Sequence, residues 1–197
     1  ETHVDRSIDT ASRFVDTNVG GTETLLRAAS DTEIDRFLHV STDEVYGEIL
    51  DGRFSESDSL DPGNPYAATK AGGEHLVESY RRTHDVPTVI VRPSNAYGPN
   101  QHTEKLIPKF ITRAANGESL PIYGDGQQSR EWTFVADLCR ALRLLVERGE
   151  IGTAYNVGSG QERRTVEVAE AITDVLDVQE ELVEFVSDRP AHDRRYA

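Results

Sequence analysis

Arg36 to Arg92 is the stretch whose reading decides the fold. It opens with RFLHVS at 36–41, short, apolar and rich in β-forming residues, which predicts a strand. TDEVYG follows at 42–47, and a loop rich in Gly, Ser, Asp and Pro runs on to Asn64. PYAATKAGGEHLVESYRRTH at 65–84 recovers helical spacing through Ala68, Ala71, His75, Leu76 and Tyr80. PTVIVR at 87–92 is a continuous apolar run of the kind found in buried parallel sheets. A strand, a helix and a parallel strand in sequence form a right-handed crossover, so the class is α/β with a parallel sheet.

Outward from this unit, Ile8 to Ala29 predicts one helix carrying Phe14, Val15, Leu25 and Leu26. Leu106 to Ala115, Ala136 to Arg148 and Val166 to Leu176 predict further helices. Leu120 to Tyr123, Ala154 to Val157 and Val183 to Val186 predict strands. Cys139, beside Leu138 and Leu142 in a helical pattern, is expected to be a buried inert thiol, which fits a reducing cytoplasm.

The net charge of −14 repels nucleic acid and anionic membranes, so neither is expected as a partner. The basic residues are lopsided, 18 Arg against Lys70, Lys105 and Lys109, and so acidic a surface fits a salt-loving source. Apolar runs such as Thr88 to Val91 fall far short of the roughly 20 residues that span a bilayer. With no Met and an opening on Glu1, the chain reads as a piece of something longer.

Two constellations carry chemistry. Tyr66 and Lys70 stand four apart at the start of a helix and share a face, where a cation can bring a phenol, ordinarily with a pKa near 10, into range as a base. Ser41-Thr42-Asp43-Glu44-Val45-Tyr46-Gly47 follows directly on a strand, and active sites of α/β proteins gather at the carboxyl ends of parallel strands. Asp43 and Glu44 also admit the plainer reading of a solvated acidic turn.

Together these residues resemble the extended short-chain dehydrogenase/reductase superfamily, and the Thr42-Asp43-Glu44 triplet resembles its dTDP-glucose 4,6-dehydratase branch. Thr2-His3-Val4-Asp5-Arg6-Ser7, Ser94-Asn95-Ala96-Tyr97-Gly98-Pro99, Glu104 to Pro108, Pro121 to Gly126 and Asp188 to Asp193 extend the resemblance along nearly the whole chain. It implies a Rossmann-type sheet with its N-terminal part missing: 1–100 as a partial NAD-binding domain and 101–197 as mainly a sugar-nucleotide lobe, with segments returning to the sheet. The Gly-rich phosphate turn of such domains is absent, since Gly20-Gly21 lies in a helical stretch and Gly158-Ser159-Gly160 lacks the spacing.

The implied cofactor is NAD, with no metal, and the implied substrate is a sugar nucleotide, dTDP-glucose first. By resemblance, Tyr66, its pKa lowered by Lys70, takes the 4-hydroxyl proton, Thr42 bonds that oxygen, Glu44 removes the C5 proton and protonated Asp43 releases the 6-hydroxyl as water. Thr2, Thr17, Tyr66, Lys70 and Ala96 are expected at the cofactor. Asn95, Lys105, Leu106, Pro121, Tyr123, Arg130, Asp188, Arg189 and His192 are expected at the sugar nucleotide, with Arg130 the diphosphate partner through its donor fork. A homodimer through the helices at 8–29 and 65–84 is also implied. The sequence departs from the branch at Thr165 and Ala96, where Asn is usual, at Ala191, where Gly is usual, and at Glu131, where Asp is usual. A UDP-sugar 4-epimerase, a uronate decarboxylase and a non-catalytic sugar-nucleotide-binding fragment are the alternatives.

Overall fold

The computed structural model describes residues 1–196, the side chain of Glu180 aside. Ala197, the last residue of the expected second segment, lies outside them. The elements are α1 (Val4–Asp9), α2 (Ala11–Phe14), a π-helical stretch (Val15–Gly20), α3 (Gly21–Ser30), β1 (Phe37–Val40), a 3-10 turn (Asp43–Tyr46), α4 (Pro65–His84), β2 (Thr88–Pro93) and β3 (Asn95–Tyr97). There follow α5 (Leu106–Ala115), β4 (Leu120–Tyr123), β5 (Ser129–Phe134), α6 (Val135–Arg148), β6 (Ala154–Val157), β7 (Glu162–Arg164), α7 (Thr165–Leu176) and β8 (Val183–Val186).

The expected crossover is present: β1 and β2 pair in parallel, Leu38 opposite Val89 and Val40 opposite Val91, with α4 between them. β6 adds to the far edge of β2, also in parallel, giving the order β1-β2-β6. β3 pairs β5 in parallel and β7 closes that sheet antiparallel, while β4 and β8 form a parallel pair.

α4 begins where it does for local reasons. Asn64 holds an extended backbone, its side chain accepts from the Ala67 amide at 2.9 Å, and Pro65 occupies the first helical position, where a missing N–H costs nothing. It stops at Asp85, which adopts a left-handed conformation at φ 54°. Leu26 of α3 and Val77 of α4 are fully buried against each other with Val86. Each is worth about 1.5–3 kcal/mol of transfer free energy, so this seam holds α4 on the first sheet. A second core joins α5, β4 and α7 through Phe110, Leu120, Ile122, Ala169 and Ile172.

The single helix expected over Ile8 to Ala29 is broken. Thr10 takes an extended backbone at φ −148°, splitting α1 from α2, and the chain then widens into the π stretch. The widening brings Asn18 inward, where its amide donates to Thr69 Oγ1 at 3.0 Å and to the Glu1 carbonyl at 3.1 Å. β3, β5 and β7 were invisible to periodicity because they are short, and β5 buries Arg130 and Glu131, charged residues that a pattern reads as exposed. Cys139 is exposed rather than buried. Leu138 takes the inward face of α6, and the next residue sits about 100° further round.

Candidate active site

The turn Asp43–Tyr46 caps the carboxyl end of β1. Thr42, extended at φ −158°, accepts from the Glu44 amide at 3.3 Å and donates to Asp43 Oδ1 at 3.2 Å, so one hydroxyl shapes the turn. Gly47 closes it at φ 82°, and a Cβ there would stand 2.3 Å from the Asp61 carbonyl oxygen. Beneath the turn Val45 and Tyr46 are buried. The Tyr46 hydroxyl donates to Asn156 Oδ1 at 2.8 Å and accepts from Arg92 Nη1 at 2.5 Å, and Arg92 is in turn paired with Glu74 of α4.

α4 brings its first turn over this platform. Its Tyr66 is buried, with the ring edge-on to Phe14 at 6.4 Å and the amide bonded to Ser7 Oγ at 3.1 Å. Lys70 shares that face, but its ammonium donates to the Val40 carbonyl at 2.6 Å. The expected lowering of the Tyr66 pKa by Lys70 is therefore not found in this chain. Burial pushes the phenol well above its ordinary value, Glu44 and Asp43 push the same way, and only the Thr42 hydroxyl opposes them.

The two carboxyl groups differ in surroundings. Burial and the neighbouring Glu44 push Asp43 up to about 7, against the pull of Arg130 and Thr42. Burial raises Glu44 as well, but Arg130, the Asn64 amide at 3.4 Å and Arg189 favour its carboxylate. Two adjacent carboxyl groups, both raised, do not readily ionise together, so one can serve as acid while the other serves as base.

Glu44 opens onto a cleft holding about 1060 Å³ of empty space, counting its mouth. Eight of the residues expected at a sugar nucleotide line it: Asn95, Lys105, Leu106, Pro121, Tyr123, Arg130, Arg189 and His192. Thr2 and the divergent Thr165 line it too. Asp188 stands behind the wall, holding His192 Nδ1 at 2.6 Å and Gln128 Nε2 at 3.3 Å. Two of the three lysines, Lys105 and Lys109, join Arg130 and Arg189 here, so a chain of net charge −14 presents a cluster of cations at one place. The buried Arg130 lies over the Tyr196 ring at 4.3 Å and donates to the carbonyls of Ser129 and Asp193 at 2.7 and 2.9 Å. Ala191 carries the positive φ, 50°, that glycine would take without strain.

Asp43, Ala96 and Thr17 face other surroundings. Asp43 opens onto a second cavity, about 670 Å³, with Tyr46, Arg53, Arg92, Glu131 and Asn156. Ala96 borders a third hollow, its carbonyl taken by Gln101 Nε2 at 2.9 Å. Thr17 is on the exposed side of the π stretch, because the widened turn presents Asn18 inward instead. Sequence reasoning missed Asn64, although Asn directly before Pro at a helix start is a capping signature. It also missed Asn18, whose partner Thr69 is 51 residues away, and it gave no role to Ser7 and Asp5 within the 2–7 stretch, of which Ser7 accepts from the Tyr66 amide and Asp5 receives Arg189. Among the described residues no group of His, Cys, Asp or Glu could hold a metal, and no helix is long and apolar enough to cross a membrane.

Comparison with known proteins agrees with this geometry. The low-salt glycan biosynthesis protein Agl12 of Haloferax volcanii is 60% identical over 197 residues, covering all of this chain and 64% of the relative. A dTDP-glucose 4,6-dehydratase of Xanthomonas campestris is 46% identical, again over the whole chain and 62% of its own length. The crystal structure of DesIV, a dTDP-glucose 4,6-dehydratase from Streptomyces venezuelae with NAD and dTDP bound, superposes with a TM-score of 0.98 at 47% identity, over all of this chain and 61% of that one. The fold is therefore Rossmann-like. The chain spans somewhat over three fifths of the length of the curated relatives it matches. Residues 1–158 match the model of the NAD dependent epimerase/dehydratase family, and the chain belongs to that family.

Proposed function

We propose that this chain carries the reaction centre of an NAD-dependent dehydratase that converts a nucleotide-activated hexose, dTDP-glucose first, to its 4-keto-6-deoxy derivative and water. The observation that carries the reading is the adjacent pair of carboxyl groups on the turn after β1: Glu44, which lines the cation-bearing cleft and accepts from the Asn64 amide at 3.4 Å, and Asp43, which accepts from the Thr42 hydroxyl at 3.2 Å. Water loss needs an acid at the 6-hydroxyl and a base at C5 together, whereas 4-epimerisation needs neither. The identity to named dehydratases, 46–47%, against 29% to a UDP-glucuronic acid 4-epimerase from Bacillus cereus, supports the same choice.

The residues fit the nicotinamide end of NAD. Tyr66 and Lys70 border the carboxyl end of β1, and the buried Ser41 hydroxyl there has no hydrogen-bond partner among the described residues. NAD bound there would supply a hydride acceptor for C4, a hydride donor for C6 and, in its oxidised form, a positive charge at the site. Tyr66 takes the 4-hydroxyl proton, which the added positive charge makes possible by favouring phenolate. Thr42 bonds the same oxygen. Glu44 removes the C5 proton, acidified by the 4-keto group, and Asp43 protonates the departing 6-hydroxyl. Lys105, Arg130 and Arg189 bind the diphosphate, and Asn95, Leu106, Pro121, Tyr123, Asp188 and His192 shape the rest of the cleft. Thr2, Thr17 and Ala96 contribute on the cofactor side.

The division into 1–100 for cofactor and 101–197 for sugar nucleotide, a homodimer through the helical segments 8–29 and 65–84, and a cytoplasmic, high-salt setting belong to the same proposal. In the full-length enzyme Glu44→Gln is expected to leave slow reduction of bound NAD, seen by its absorbance, while abolishing 6-deoxy product. Formation of that product at the wild-type rate would remove Glu44 from the mechanism.

A further inference from the structure

Strand β5 forms one wall of the cleft. Gln128, just before the strand, and Arg130 and Trp132 within it line the cleft, while Glu131 between them turns to the second cavity. Alternate residues of a strand stand about 6.6 Å apart on one face, so the wall carries three polar side chains in a row, with the Arg130 cation in the middle. Trp132 pairs with Asn95, two residues past the end of β2, and so lies on the side of the reaction centre. Gln128 lies on the other side of Arg130, beside Thr165 at the start of α7. The Thr165 amide and hydroxyl both donate to the Gln128 backbone carbonyl, at 2.9 and 3.3 Å, which fixes the main chain there and occupies the Thr165 hydroxyl proton.

Gln128 is only 2% exposed, and its side-chain oxygen Oε1 is buried with no hydrogen-bond partner among the described residues. One carboxylate dictates which arm of that amide faces which way. Asp188 Oδ2 receives Gln128 Nε2 at 3.3 Å, while its Oδ1 is held by His192 Nδ1 at 2.6 Å and by the Arg189 amide at 2.8 Å. A carboxylate only accepts, so the arm against Asp188 is the NH₂ and the arm left over is the carbonyl. A buried acceptor without a donor is costly, and a ligand that brings a donor removes the cost. With the diphosphate of the proposed sugar nucleotide on Arg130, a reading on which this inference rests, the hexose runs toward Trp132 and the nucleoside toward Gln128. A diphosphate has no proton to donate. The first donor beyond it on the nucleoside is the pentose 3′-hydroxyl, and the imide N–H of the base lies farther out. We propose that Gln128 is a nucleoside-binding residue whose side-chain carbonyl accepts the pentose 3′-hydroxyl, and that Asp188 is the positioning residue that holds the amide this way round.

Calorimetric binding of dTDP to the full-length enzyme tests this without any turnover, with 3′-deoxy-dTDP as the analogue that lacks the hydroxyl. Wild type should bind dTDP roughly 2- to 10-fold more tightly than the analogue, the size of one hydrogen bond. Gln128→Met keeps the length of the side chain and removes the acceptor, so it should weaken dTDP by that factor, leave the analogue unchanged and erase the preference. Asp188→Asn should also reduce the preference, because an amide in place of the carboxylate no longer dictates which arm of Gln128 faces it. Equal weakening of both ligands by Gln128→Met shows a packing role alone and overturns the proposal, as does a wild type with no preference or a preference that survives in Gln128→Met. N3-methyl-dTDP separates the other donor: if Gln128→Met erases discrimination against that analogue instead, Gln128 reads the base and the pentose assignment falls. A wild type that does not bind dTDP overturns the sugar-nucleotide reading and this subsite with it. A wild type that shows the expected binding pattern but forms no 4-keto-6-deoxy product overturns the proposed reaction and supports the subsite.

Discussion

Replacing Glu74 by Gln tests whether the site rests on a buried charge. Glu74 lies in α4, eight residues after Tyr66, and its carboxylate receives Arg92 Nε at 3.1 Å and Nη2 at 2.6 Å, with side chains only 3% and 8% exposed. The remaining Arg92 nitrogen donates to the Tyr46 hydroxyl at 2.5 Å, so the guanidinium links the helix of Tyr66 to the turn of Asp43 and Glu44. Removing the carboxylate leaves a largely buried cation without its partner, which costs about 3–5 kcal/mol. A protein of this kind has about 5–15 kcal/mol in all, so the urea midpoint should drop sharply. Replacing both residues by Met removes the stranded charge. The double variant Glu74→Met with Arg92→Met should therefore lose at least ~2 kcal/mol less than the sum of its single variants, the residual loss coming from the donor that the Tyr46 hydroxyl oxygen loses, its bond to Asn156 being kept. Urea unfolding of the wild type, Glu74→Gln, the two Met single variants and the double variant measures this. A loss under ~1 kcal/mol for Glu74→Gln, or strict additivity in the cycle, would refute the argument, since a solvated surface pair behaves that way.

Other consequences follow from individual groups. Asp43 binds its proton more tightly folded, about 7, than unfolded, 3.8, so its contribution to stability is complete below pH 3.8 and is lost as pH rises through about 7. Asp43→Asn should accordingly unfold at higher urea than wild type at pH 8, by on the order of 1–3 kcal/mol, and the wild-type kcat should fall on the alkaline side of pH 7; equal stability at pH 8 would show that the carboxylate is not penalised. His39 behaves oppositely: burial, then Lys70, hold it down to about 4 from 6.5, so stability present above 6.5 is lost as pH falls toward 4. His39→Leu should flatten that acid limb by roughly 2–3 kcal/mol between those values, read from denaturation at pH 7.5 and pH 4.5. Gly47→Ala should cost at least ~2 kcal/mol, because it combines a positive φ with a Cβ 2.3 Å from a backbone oxygen, and an unchanged melting temperature would mean the turn relaxes freely.

Much of the fold was legible because it is written in local pattern. The crossover β1-α4-β2 shows a strand, a helix and a strand with the right periods, and α4 announces its start with Asn64-Pro65. β5 was not legible, since Arg130 and Glu131 are buried only because the tail carbonyls of Asp193 and Arg194 and the Gly160 amide come to meet them. Helical periodicity over 8–29 ran straight through a break that Thr10 and the inward turn of Asn18 create.

The division for the site is similar. Residue type and order along the chain determined that Thr42, Asp43 and Glu44 follow a strand and that Tyr66 and Lys70 share a helix face. Those are facts of covalent sequence and of helical and strand period. Only the tertiary structure decided which way each group titrates and faces. It turned Lys70 to the Val40 carbonyl, opened Glu44 and Asp43 onto different cavities, raised Asp43 to about 7 and bonded the Thr42 hydroxyl to Asp43. Burial and through-space charge depend on neighbours brought from distant parts of the chain, and no spacing in the sequence encodes a dielectric.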